Sequence, residues 1–95
     1  MPEIRFQIQW PDGTQEICYS PSLVVKDYFV PNHDYEMGDF VERSRTAYRI
    51  ANERVQAKYG MQCGMALGQL QRIEEAAIRF NDLSTSKVRV IQFID

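Results

Sequence analysis

Ile4, Phe6, Ile8 and Trp10 alternate with Glu3, Arg5, Gln7 and Gln9 at the start of the chain. A period of two belongs to a strand with one face in a core and the other in water, so residues 3–10 are expected as a first strand. Pro11, Asp12 and Gly13 follow: proline presets φ, aspartate tolerates the next position, and glycine supplies a positive φ without steric cost. Residues 14–19 then return as a second strand. Two registers are open to this hairpin. With Asp12 and Gly13 as a two-residue loop, Ile8 faces Ile17 and Phe6 faces Tyr19. With a type I turn closed by a glycine bulge, Cys18 faces Phe6 instead, and only then is the thiol buried.

Beyond the hairpin the period lengthens. Residues 20–29 allow a short helix with Ser20 as N-cap and Pro21 in the first helical position, although Val24 and Val25 weaken it. Residues 30–34 read as a loop, since Pro31 restricts Val30 and Asn32, His33 and Asp34 cluster after it. From Met37 to Tyr59 apolar residues recur at three- and four-residue steps, the stripe of a long amphipathic helix with Gly60 as its C′ residue. Residues 64–80 make a second helix whose apolar positions, from Met65 and Leu67 to Ile78 and Phe80, cover a wide arc and imply contact on more than one side. Residues 81–86 have turn composition, and the β-branched residues 87–94 form a third strand. The expected fold is α+β over a single domain, residues 1–95. A three-stranded antiparallel sheet, the N-terminal β-hairpin plus the C-terminal strand, carries two main helices on one face, in the order β-β-(short α)-α-α-β.

Composition narrows the function classes. A chain of 95 residues has room for one core and buries roughly 65% of its unfolded surface, so marginal stability or a partner is expected. The net charge of −2 supplies no overall field for nucleic acid or an anionic membrane. No window approaches the length of a membrane span and the N-terminus lacks a secretory pattern, so a cytoplasmic location is expected. Cys18, Cys63 and the single histidine, His33, lack metal-ligand spacing, and no phosphate loop or dinucleotide fingerprint is present. Neither a metal nor another cofactor is expected. In a reducing cytosol the two cysteines are expected as thiols.

Cys63, just before the second helix, is the sharpest chemical hint: helix-terminal N–H groups favour a nucleophilic thiolate. No basic partner is fixed by motif, and an inert half-buried thiol is the commoner state. Cys18, Tyr19 and Ser20 end the second strand, where a thiol and hydroxyls can face a ligand. Ser20 or Ser22 with His33 and Asp34 supplies the residue types of a nucleophilic triad, but no nucleophile-elbow glycines surround either serine, so Ser20 reads as a cap. Trp10, Tyr28, Phe29, Tyr35 and Phe40 allow an aromatic rim near the loop, though aromatics are more often core. Arg43, Arg54 and Lys58 flank one edge of the long helix's stripe and Arg45 and Arg49 the other, with Glu42 and Glu53 between. This mixed-sign face, including an Arg49–Glu53 pair at i,i+4, reads as a solvated helix surface rather than a nucleic-acid-binding one. Leu67 and Ile78 on the second helix, with Arg45 and Arg49, are the candidate interface residues.

Taken together, Trp10-Pro11-Asp12-Gly13, the run from Cys18 to Phe29, Asp39-Phe40-Val41-Glu42-Arg43-Ser44-Arg45-Thr46-Ala47, Glu53-Arg54-Val55-Gln56-Ala57-Lys58-Tyr59-Gly60 and Ala66-Leu67-Gly68-Gln69-Leu70 resemble the small bacterial nitrogen starvation response proteins. The resemblance spans nearly the whole chain and implies a setting: members are encoded in clusters with a nitrilase, and commonly with a radical-SAM protein and an acetyltransferase. It carries no catalytic residue. The expected role is that of a non-enzymatic accessory or binding protein for an enzyme of such a cluster, with a homodimer also compatible. The alternatives are a small-molecule enzyme or carrier using Cys63 and, more weakly, a nucleic-acid-binding regulator.

Overall fold

The computed structural model describes residues 3–80 and 86–94. The chain is α+β: β1 (Ile4–Gln9), β2 (Gln15–Ser20), a 3-10 helix (Leu23–Asp27), β3 (His33–Glu36), α1 (Met37–Tyr59), α2 (Gly64–Arg79) and β4 (Lys87–Ile94). The four strands form one antiparallel sheet in the order β2-β1-β4-β3.

The hairpin takes the glycine-bulge register. Gly13 N–H donates to the Trp10 carbonyl at 2.9 Å, Trp10 N–H donates to the Thr14 carbonyl at 2.8 Å, and Gly13 sits at φ 91°. Phe6 therefore faces Cys18, and Cys18 is buried. The Asp12 carboxylate accepts from the Thr14 hydroxyl at 2.6 Å and the Thr14 N–H at 3.0 Å, which holds its carboxyl below the ordinary range.

The sheet has four strands where the sequence pattern implied three. His33 and Asp34, read as loop, begin β3, which pairs with β4 through His33↔Val90 to Glu36↔Lys87. Only Tyr35 of these four residues is buried, so no alternation was available to reveal the strand. Its polar, charged side chains suit an edge, where they discourage pairing with another chain. A second correction concerns the short helix. Ser22, not Ser20, caps it, accepting from Val24 N–H at 3.3 Å, and the helix is a 3-10 turn beginning at Leu23. Ser20 lies in β2, where its hydroxyl donates to the Ser22 carbonyl at 2.8 Å.

Both long helices begin where expected, and Gly60 ends α1 at φ 78°. The second helix stops at Arg79, with Phe80 as its C-cap. Residues 81–85 of the expected turn lie outside the described residues. The aromatic residues near the loop join the core: Phe29 packs on Phe40 at 5.2 Å, Phe6 on Phe29 at 5.8 Å, and Trp10 edge-on to Phe40 at 5.8 Å. Ile8, Val25, Ala47, Tyr48, Ile73, Val88 and Val90 complete the layer between sheet and helices.

The opposite face of the sheet carries a row of amides. Gln92 donates to Gln7 at 2.8 Å, Gln7 to Gln15 at 2.6 Å, and Gln15 to Gln9 at 3.4 Å. Arg89 pairs with Asp34 at 3.2 Å beyond the row. A bulge between Gln7 and Ile8 in the pairing with β4 leaves Ile91 as the extra residue, so Val88, Val90 and Phe93 can all meet the core.

Two glycines should respond oppositely to alanine. Gly13→Ala is expected to destabilise by about 1 kcal/mol, because a Cβ disfavours positive φ. Gly68→Ala, inside α2 with its Cβ at an ordinary 3.8 Å from the Arg72 guanidinium, should stabilise by about 0.8 kcal/mol. Urea unfolding of both variants checks the pair.

Candidate functional site

The edge strand β2 and the tip of the α1–α2 hairpin meet at a corner. There a cavity of about 240 Å³ is lined by Glu3, Tyr19, Pro21, Val55, Tyr59 and Cys63. In the observed register Tyr19 starts on the outer face of the sheet, opposite Arg5, whose guanidinium lies 5.5 Å from its ring. Because β2 has no strand beyond it, the phenol can reach round the edge, into the cavity that Glu3 and Cys63 also line. Burial first, and these neighbours after it, push the Tyr19 phenol up to about 12.

Cys63 is the N-cap residue of α2, half-buried, with extended backbone and no capping bond from its side chain. Its N–H donates to the Asn52 side chain at 3.3 Å, which ties the start of α2 to the last turns of α1. The thiol and the Tyr19 hydroxyl thus share one cavity, with the Val55 and Pro21 side chains as its apolar wall.

The other candidate residues go elsewhere. Cys18 is enclosed in the core, where burial pushes its thiol well up and keeps it protonated. Ser20 is buried in the turn described above. His33 is exposed on β3, with its ring 4.6 Å from Tyr35. β3 and β2 are opposite edges of the sheet, three inter-strand spacings or roughly 14 Å apart. Ser20, Ser22, His33 and Asp34 are therefore not assembled as a catalytic group. Among the described residues, no three His, Cys, Asp or Glu side chains gather as a metal site, and no helix is long and apolar enough to cross a membrane.

The residue that organises the corner is Gln69, a polar side chain that the apolar pattern of α2 does not single out. It is buried on α2, and its side-chain oxygen accepts from Tyr19 N–H at 3.1 Å and from Arg72 at 3.0 Å. Its amide donates to Glu16 at 3.2 Å, while the Tyr48 hydroxyl donates to the Tyr19 carbonyl. The signal was present: Gln69 stands four residues before Ile73 and seven before Ala76, in the middle of the buried arc.

A family model described as nitrogen starvation-induced protein NitG matches residues 5–93. The chain belongs to the NitG family. Comparison with curated proteins and with solved structures gives no match.

In this NitG family member the candidate interface residues share the outer surface of the helical layer. Arg45 bridges the two helices to Glu74 at 3.1 Å and also pairs with Glu42 at 2.8 Å. Arg49, one turn further along α1, is exposed and makes no ion pair among the described residues, so the expected pairing with Glu53 is not formed. Leu67 and Ile78 are 44% and 75% exposed. The remaining arginines of α1 are engaged: Arg43 with Asp39 and the Tyr28 carbonyl, both at 2.9 Å, and Arg54 with the Ser22 hydroxyl at 3.1 Å.

The Tyr19 environment has a pH consequence. Its phenol ionises near 10 when unfolded and near 12 when folded, so the unfolded chain loses the proton first. The associated stability is present in full below pH 10 and lost as pH rises to 12. Tyr48, shifted the same way by burial, adds to it. The urea midpoint should fall across this window, and less steeply in Tyr19→Phe.

Proposed function

We propose that this chain acts by binding, as an accessory protein that docks an enzyme of a nitrilase-associated cluster at the tip of the helical hairpin. The supporting observation is the apolar surface around the corner cavity. Met61, Met65 and Tyr59 are 69%, 59% and 58% exposed, and Tyr59 itself lines the cavity. Unbranched, polarisable methionine side chains adapt to a partner, and a cavity between them can receive one apolar side chain as an anchor. A standard footprint of about 800 Å² would take about one-seventh of the 5576 Å² molecular surface. That is enough to extend over the tip and the mouth of the corner cavity.

Each purified enzyme of the cluster, mixed with the chain at about 10 µM, should be tested by size-exclusion chromatography and calorimetry. One is expected to co-elute as a complex, weakened about tenfold or more by Met61→Glu or Met65→Glu. No complex with any of them would end this reading.

A second reading, small-molecule chemistry at Cys63, is favoured by the Glu3–Tyr19–Cys63 cluster in the same cavity. It expects rapid iodoacetamide modification of Cys63 at neutral pH, with Cys18 spared, and a changed rate in Tyr19→Phe. A rate equal to that of a simple thiol, unaltered by the substitution, would count against it.

A further inference from the structure

Leu67, Gln71, Glu74 and Ile78 lie at steps of four, three and four residues, which places them on one stripe of α2. The stripe is outward-facing: Leu67, Gln71 and Ile78 are exposed and Glu74 half-exposed beside Arg45. Its spacing is the same read in either direction. We propose that this stripe pairs α2 with α2 of a second copy of the chain, antiparallel about a two-fold axis crossing the helix between Arg72 and Ile73.

In that pairing Leu67 of each copy meets Ile78 of the other, and Gln71 meets Glu74. The two apolar ends are eleven residues apart, about 16 Å along three helical turns, so both contacts form at once. An open groove of about 260 Å³ lined by Val41, Arg45, Glu74, Ala77 and Ile78 lies at one end of the stripe. This is where the pairing brings Leu67 of the second copy, seating one branched side chain between the helices of the other chain. The groove otherwise leaves Ile78, the most exposed large apolar side chain among the described residues, against water.

The charges suit the same arrangement. Near the axis the two Glu74 carboxylates approach each other, and each is neutralised within its own chain by Arg45 at 3.1 Å. The Gln71 amide, now 3.2 Å from Glu75, is placed to donate to Glu74 of the other copy. The Arg45–Glu74 and Asn52–Cys63 contacts show α1 running antiparallel to α2, which sets Arg49 near the level of Leu67. In the pair, Arg49 comes to the side of the second copy that carries Glu74, a carboxylate it would share with that copy's Arg45. The contact uses the outer surface of the helical layer, leaving both corner cavities open.

Sedimentation of the full chain from 1 to 100 µM tests the pairing, with Leu67→Glu and Ile78→Glu as variants. Both positions are exposed, so at concentrations low enough for the parent to be monomeric their thermal transitions should match it. A concentration-dependent dimer is expected, weakened about tenfold or more by either variant. A monomer throughout, or a dimer indifferent to both variants, would overturn the proposal. The register has its own readout in a Cys63→Ser background under mild oxidation. A mixture of Leu67→Cys and Ile78→Cys chains should cross-link, whereas Ile78→Cys alone should not, its two copies lying about 16 Å apart along the axis. Efficient cross-linking of Ile78→Cys with itself would refute the antiparallel register.

Discussion

The register of the first hairpin is the constraint on which the rest depends. Strand side chains alternate, so a shift of one residue would turn Cys18 and Ser20 outward and bring Ile17 and Tyr19 in. The turn from Trp10 to Thr14, with Gly13 in the left-handed region, settles this locally. Tyr19 then lies on the free edge of β2 with both backbone groups available. The Gln69 side chain of α2 takes its N–H and the Tyr48 hydroxyl of α1 takes its carbonyl, so both helices grip the sheet at one residue. The same contacts cover part of an edge that would otherwise be open to another strand.

Where periodicity was long, the sequence was readable. The 23 residues of α1 and the eight of β4 begin and end where their apolar patterns and Gly60 place them. β3 escaped notice because it holds four residues with one buried side chain, and its strand character comes from hydrogen bonds to β4. The site was less legible for a related reason. Glu3, Tyr19 and Cys63 come from a strand's beginning, another strand's end and a helix cap, and only the folded chain brings them together. Cys63 stands out in the sequence as a helix-terminal thiol and Tyr19 as a strand-end hydroxyl, but nothing along the chain joins them. Gln69 was hidden by its polarity, since a search for apolar positions skips a buried amide that supplies a backbone with its partner.

Within the helical layer the large exposed apolar side chains fall in two places, the hairpin tip and the outer stripe of α2. Both belong largely to one helix, whose N-terminus borders the corner cavity and whose later turns carry Glu74 and Ile78. Occupation of the stripe would hold α2 along its length while leaving its N-terminus presented. Two tips in a fixed geometry would let a symmetric partner be engaged twice, and a second contact on an already bound partner needs no further loss of overall freedom.

The glutamine row on the opposite face gives the molecule a side that is chemically quiet. Its amides spend donors and acceptors on one another, from Gln92 through Gln7 and Gln15 to Gln9. Side-chain amides neither gain nor lose a proton across the range in which carboxylates, imidazole and thiols do. The row is thus a surface without a pH register, holding three strands together laterally while leaving responses to acidity to the groups around it. Such a face acts as ballast: it keeps the platform constant while the helical side answers to its surroundings.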